Sequence, residues 1–156
     1  MMVSENLPSA PADRVLVLTR LLDAPRSLVF SVWAKPEHMV RWFGPKDFSL
    51  PFCEMDFRQG GKYRVCMRGP DGTDYWLWGE YREIVEPERI VFVWDRDEIE
   101  GQPNRTIVTV TLEEQGNQTK LTLHQAIFLT TEDRESHNGG WTECLVRLAD
   151  YVAGLA

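Results

Sequence analysis

Between Thr131 and Leu155 the chain carries an apolar stripe too broad to leave in water. At 100° per residue, His137, Trp141, Cys144, Leu145, Leu148, Tyr151, Val152 and Leu155 fall within roughly a 120° arc. Asn138, Thr142, Glu143, Arg147 and Asp150 occupy the opposite side. The pattern predicts one long amphipathic helix, and that helix needs a large apolar surface to cover it. Nearly everything from Phe48 to Phe128 reads as β-strand, so the sheet is expected to be built to hold the helix.

The rest of the chain fits that arrangement. Residues 1–13 are small, polar and proline-containing and read as a flexible arm. Residues 14–156 read as a single domain, a size sufficient to bury a real core. Residues 14–22 form a strand candidate, after which Asp23 is expected to cap a first helix with Pro25 in its first turn. Lys35-Pro36-Glu37 restarts a short second helix that Gly44-Pro45 stops. Six strands follow, at about 47–57, 61–68, 73–85, 89–95, 104–114 and 119–128. Their turns are signalled by Gly60-Gly61, Pro70-Asp71-Gly72, Glu86-Pro87-Glu88, Gly101-Gln102-Pro103 and Gly116-Asn117. Strand, two short helices, six strands and a long helix make an α+β order. A curved antiparallel sheet wrapped around the terminal helix buries both apolar faces.

Several function classes lose support at this stage. A net charge of −7 argues against a duplex nucleic-acid binder, which would carry a basic stripe. No apolar run approaches the ~20 residues of a membrane helix, and no leader pattern is visible, so the cytoplasm is the default location. Three cysteines are too few for a disulfide framework. The three histidines have no metal-ligand spacing, and neither a metal nor a cofactor is expected.

The motifs resemble a known family. Ala24-Pro25 with Val29-Phe30 and Trp33, Pro36-Glu37 with Arg41-Trp42-Phe43-Gly44-Pro45, and Asp56 to Arg64 are its first matching segments. Gly79 to Ile84 with Pro87-Glu88-Arg89, and His137-Asn138-Gly139-Gly140-Trp141, complete them. Over about residues 14–154 the chain resembles the helix-grip superfamily of START-like (SRPBCC) lipid-transfer domains. Within it, the chain resembles the branch homologous to the C-terminal domain of the activator of the 90-kDa heat-shock protein ATPase (AHSA-like). The resemblance implies a curved sheet gripping the last helix. It also implies one of the superfamily's roles: binding lipids, hormones or polyketides, catalysing a cyclisation, or contacting a chaperone in a stress response.

The residues themselves point to a cavity between sheet and helix. Trp42, Tyr63, Met67, Leu77, Tyr81, Trp94, Gln125 and Trp141 are the candidate ligand-binding residues. Gln125 is an isolated polar group in an apolar wall that either orients a ligand or is satisfied within the protein. On the strand Tyr75 to Tyr81, Gly79 favours turning Tyr75, Leu77 and Tyr81 towards the helix. Trp76 and Trp78 then lie outside, as a partner surface or under another element. Glu83 shares the inward parity and is a candidate cavity carboxylate. His137 and Cys144 share the helix stripe but stand about 10 Å apart along the axis, too far for nucleophile activation. No catalytic set emerges by spacing.

The first hairpin offers two registers. A two-residue turn places Cys53 opposite Cys66, whereas a three-residue turn pairs Phe57 with Tyr63, Met55 with Val65 and Cys53 with Met67. The second collects apolar residues on one face and is expected, with both thiols free. The sequence reading is a domain that binds a small, largely hydrophobic molecule. A chaperone-type interaction module and a cyclase- or hydrolase-type enzyme are its alternatives, and the oligomeric state is open.

Overall fold

The computed structural model describes residues 12–99 and 102–156, with side chains outside 97–104. Of the expected arm, residues 1–11 lie outside the described residues, as does Gly101 of one turn signal. Ala12–Arg14 form a 3-10 turn. The elements then run β1 (Leu16–Leu22), α1 (Arg26–Ala34), α2 (Pro36–Trp42), β2 (Ser49–Met55) and β3 (Lys62–Arg68). β4 (Asp74–Val85), β5 (Arg89–Ile99), β6 (Gln102–Gln115), β7 (Gln118–Ala126) and α3 (Thr131–Leu155) complete the chain.

All seven strands form one antiparallel sheet in the order β1-β7-β6-β5-β4-β3-β2. β1 therefore pairs with the last strand, Leu18 opposite Leu123, and the meander fills the remainder. The fold is the α+β helix grip, with α3 against the sheet and α1 and α2 packed beside it. α3 buries Trp141, Cys144, Leu145, Leu148 and Val152, while Leu155 at its end stays exposed. Its N-terminus is capped by Thr130, whose hydroxyl accepts from the Asp133 N–H at 3.0 Å.

Local departures from the sequence reading have physical causes. Pro25 is the N-cap of α1, in extended geometry and without a side-chain cap, so Asp23 stands two residues before the cap position. The first hairpin adopts neither expected register: Phe52 faces Cys66, Cys53 faces Val65 and Met55 faces Tyr63. The turn is longer, closed by Asp56 N–H to the Lys62 carbonyl (2.9 Å) and Gly61 N–H to the Arg58 carbonyl (2.8 Å). Gly61 permits this fold-back, since a Cβ there would lie 2.0 Å from the Asp56 oxygen. A slip of two residues keeps every side chain on its expected face. Cys53 still shares a face with Tyr63 and Val65, and all three cysteines are free.

On β4 the alternation breaks between Tyr81 and Glu83, where the pairing with β5 shifts. Tyr81 is buried, and after the shift Ile84 packs on the core. Glu83 is thereby turned outwards, where it pairs with Arg89 at 2.7 Å. A bulge inverts the parity of every residue after it. Glu83 is therefore no cavity carboxylate.

Candidate functional site

The helix side of the sheet is mostly filled by aromatic rings. Trp33 lies against Trp42 (centroids 4.7 Å apart) and Trp141 (6.2 Å), and Trp94 against Trp141 (5.4 Å). Tyr63, Tyr81 and Phe92 make a second cluster with centroids 5.6–6.2 Å apart. Between the clusters only about 20 Å³ remains, bordered by Trp33, Tyr63, Tyr81, Phe92 and Trp94. That is room for about one water molecule.

The usable space lies towards the N-terminal half of α3. It measures about 370 Å³ and is walled by Met67, Leu77 and Trp94 of the sheet and by His137, Gly140, Trp141 and Cys144 of α3. Phe43, Pro45 and Phe48, from the loop between α2 and β2, close a third side. This size falls near the lower end of small-molecule sites. α3 pins the loop in place. The Arg147 guanidinium donates to the carbonyls of Gly44 and Pro45, both at 3.0 Å. Glu143 accepts from the Lys46 N–H at 3.1 Å, and the Cys144 sulfur from the Gly44 N–H at 3.4 Å. Gly44, at φ 113°, needs the freedom of glycine to make that turn.

Four of the eight residues singled out in the sequence border this cavity: Met67, Leu77, Trp94 and Trp141. Tyr63 and Tyr81 border the small inner void instead. Trp42 lies behind the wall, fully buried, with its indole N–H donated to the Val32 carbonyl at 3.1 Å. Gln125 is satisfied within the protein. Its oxygen accepts from the Trp141 indole (2.8 Å), and its amide nitrogen donates to the Thr106 hydroxyl (2.8 Å).

The polar rim consists of paired groups. Asp74 receives both arms of Arg68, at 2.7 and 3.1 Å. Arg96 pairs with Asp133, and the His137 ring contacts the same carboxylate at 3.4 Å and the Asp133 carbonyl at 2.9 Å. Burial works against the charged Asp133 carboxylate, but His137 and Arg96 outweigh it and hold its pKa below the usual value. Burial pushes the Cys144 thiol up to about 12, so it is a packed residue and no nucleophile. Among the described residues, no group of three His, Cys, Asp or Glu could hold a metal.

The outer face of β3, β4 and β5 is different in character. Trp76 packs on Phe52 (5.5 Å), and Arg64 lies over its ring at 4.2 Å. Beside it an open groove of about 780 Å³ is walled by Lys62, Arg64, Trp78, Glu80, Asp95 and Arg105. Its walls carry both signs of charge.

This geometry has relatives. Residues 23–153 match the family model described as Activator of Hsp90 ATPase homolog 1-like protein. The chain belongs to this family. A Chromobacterium violaceum protein of known structure superposes with a TM-score of 0.80 at 28% identity, over 90% of this chain and 97% of that one. An Arthrobacter aurescens protein gives 0.77 at 27% identity, covering 92% and 88%. The AHSA1 protein of Silicibacter pomeroyi, at 21% identity, shares the fold with a TM-score of 0.80 over 91% and 99%. No curated protein matches the sequence. Family membership accounts for the helix grip, and no helix of the described residues is long and apolar enough to cross a membrane.

The sequence reading missed the loop residues Phe43, Pro45 and Phe48. The Gly44-Pro45 pair was the available signal, since a helix stopped there must deliver its next residues to a neighbouring surface.

Proposed function

We propose that this member of the Activator of Hsp90 ATPase homolog 1-like family binds a small, largely apolar molecule between the sheet and the first half of α3. The cavity of about 370 Å³ carries the reading. Its walls are mainly aromatic and aliphatic, and its few charged groups are already paired. Pockets of this kind take most of their affinity from burial, with a few polar groups fixing orientation.

The test is titration of a fluorescent apolar probe against the folded protein and Met67→Trp, which fills the cavity. Binding to the wild type and at least ten-fold weaker binding to the variant are expected. Unchanged affinity in a folded Met67→Trp protein would remove the cavity as the site. Gln125→Trp is no equivalent control, because it breaks the bridge to Trp141.

A second reading, a chaperone-type interaction module, is supported by the outer face. There, Trp76 and Trp78 are both partly exposed beside Arg64. Loss of a captured protein on Trp78→Ala, with probe affinity intact, is the result expected of that reading.

A further inference from the structure

Two adjacent glycines, Gly139 and Gly140, lie inside the 25-residue helix α3. Glycine in a helix interior is unfavourable, because it loses more backbone freedom on folding than any other residue. Neither position has the left-handed φ that would explain the choice; the positive-φ glycines are Gly44, Gly60, Gly72 and Gly116. Packing does not exclude a side chain either. A Cβ at Gly139 would meet nothing within 4 Å, and one at Gly140 would meet only Pro45 Cγ at 3.5 Å, an ordinary van der Waals contact. At Gly61 and Gly79, by contrast, a Cβ would lie 2.0 Å from a backbone oxygen. Alanine therefore fits at both helix positions and favours the helix at both.

Their surroundings separate the two. Gly139 is exposed. Gly140 lines the 370 Å³ cavity, and so does Pro45, the residue that its Cβ would reach. A side chain at Gly140 would thus enter the gap between α3 and the loop that carries Pro45. His137 and Cys144, one turn to either side on the same helix face, line the cavity as well.

We infer that Gly140 is a specificity-determining residue of the cavity: its missing side chain lets a fused-ring aromatic ligand lie against the bare backbone of α3. This rests on the cavity being the binding site. The gap beside Pro45 belongs to the ligand, and the rings of Phe43, Phe48, Trp94 and Trp141 around it suit the faces and edges of such a molecule. Any side chain at Gly140 narrows the cavity at that point and leaves room only for a slimmer ligand.

Two probes test this, the two-ring 6-propionyl-2-dimethylaminonaphthalene and the single-ring 4-ethylphenol. Dissociation constants are measured by calorimetry for the wild type, Gly140→Ala, Gly139→Ala and Met67→Trp, with urea midpoints for the same proteins. Gly140→Ala is expected to bind the naphthalene probe on the order of ten-fold more weakly than the wild type, the effect of one misplaced methyl-sized group in an apolar pocket. Its affinity for 4-ethylphenol should change by less than about two-fold, and Gly139→Ala should leave both probes within about two-fold. Both alanine variants should unfold at or above the wild-type midpoint.

Naphthalene binding that Met67→Trp weakens and Gly140→Ala does not would overturn the inference while leaving the cavity as the site. So would an equal loss in Gly139→Ala, which would make the effect a property of the helix backbone, or an equal loss of both probes in Gly140→Ala. A Gly140→Ala midpoint clearly below wild type overturns it too, because the glycine would then serve the fold. Naphthalene binding that neither Gly140→Ala nor Met67→Trp weakens, or no binding at all, overturns the cavity reading itself.

Discussion

The Trp141 indole donates to the Gln125 side-chain oxygen at 2.8 Å, a polar tie between the middle of α3 and the sheet beneath it that lies wholly within the core. Trp141 is 3% exposed and Gln125 fully buried, so neither group has water to fall back on. Trp141→Ala is expected to cost about 3–5 kcal/mol by cavity formation. Trp141→Phe retains a ring but strands the Gln125 oxygen, adding about 1–3 kcal/mol. With Gln125→Leu the double variant should cost less than the two single variants summed. Urea denaturation measures this, and additivity within about 0.5 kcal/mol would show that the contact carries no coupling.

Asp133 gives the α3 N-terminus a pH dependence. Its pKa is lowered in the folded protein despite burial, through the hydrogen bond and charge of His137 and the charge of Arg96. A carboxylate with a lowered folded pKa contributes stability that is complete above its unfolded value of about 3.9. That contribution disappears as pH falls through the folded value. The stability gap between wild type and Asp133→Asn should therefore be full at pH 5 and shrink below about pH 4. A gap that stays constant down to pH 2 would locate the Asp133 contribution elsewhere, in packing or capping.

The cysteines are expected to be free and slow to react. Burial pushes the thiol of Cys53 up to about 11 and that of Cys144 to about 12, so little thiolate exists at pH 8. Iodoacetamide at pH 8 should label both only slowly in the native protein, whereas unfolding without reductant should give three labels per chain. Fewer than three, read by intact mass, would mean a disulfide that the observed pairing of Cys53 with Val65 does not allow for.

The sequence made the architecture legible because it is written in long-range periodicity. The stripe from His137 to Val152 and the strand runs need only a 3.6- or 2-residue repeat to be read. Faces were legible for the same reason, and the two-residue slip in the first hairpin left Cys53, Met55, Tyr63 and Val65 on their expected side. Legibility ended where one residue breaks the count. The bulge before Glu83 moved that carboxylate from the cavity side to the surface, and no spacing announces a bulge. The candidate site was half legible. Inward parity identified Met67, Leu77 and Trp94, but it cannot separate a wall with space beside it from a wall already filled, as at Tyr63 and Tyr81. Nor can it say that Gln125 is consumed by Trp141, since that depends on two elements meeting.

Gly79 shows what close approach demands of one position. The glycine makes room for its neighbours in the sheet. A Cβ at Gly79 would lie 2.0 Å from the Val93 carbonyl oxygen and 3.0 Å from the Tyr63 ring. The same Val93 oxygen accepts the Tyr63 hydroxyl at 2.6 Å, so it cannot retreat without stranding a buried phenol. Burial already drives the Tyr63 hydroxyl pKa well above its ordinary value, which keeps that hydroxyl a donor at any ordinary pH. Gly79→Ala must therefore push β4 away from β5 or break the Tyr63 bond, and overpacking of this kind costs about 1–3 kcal/mol or more. Tyr63→Phe combined with Gly79→Ala should recover part of the loss, because the carbonyl is then free to shift. Denaturation midpoints of the two single variants and the double variant decide it. A Gly79→Ala midpoint equal to wild type would mean the strands part at no cost, and the glycine would then hold no packing role at this point of the sheet.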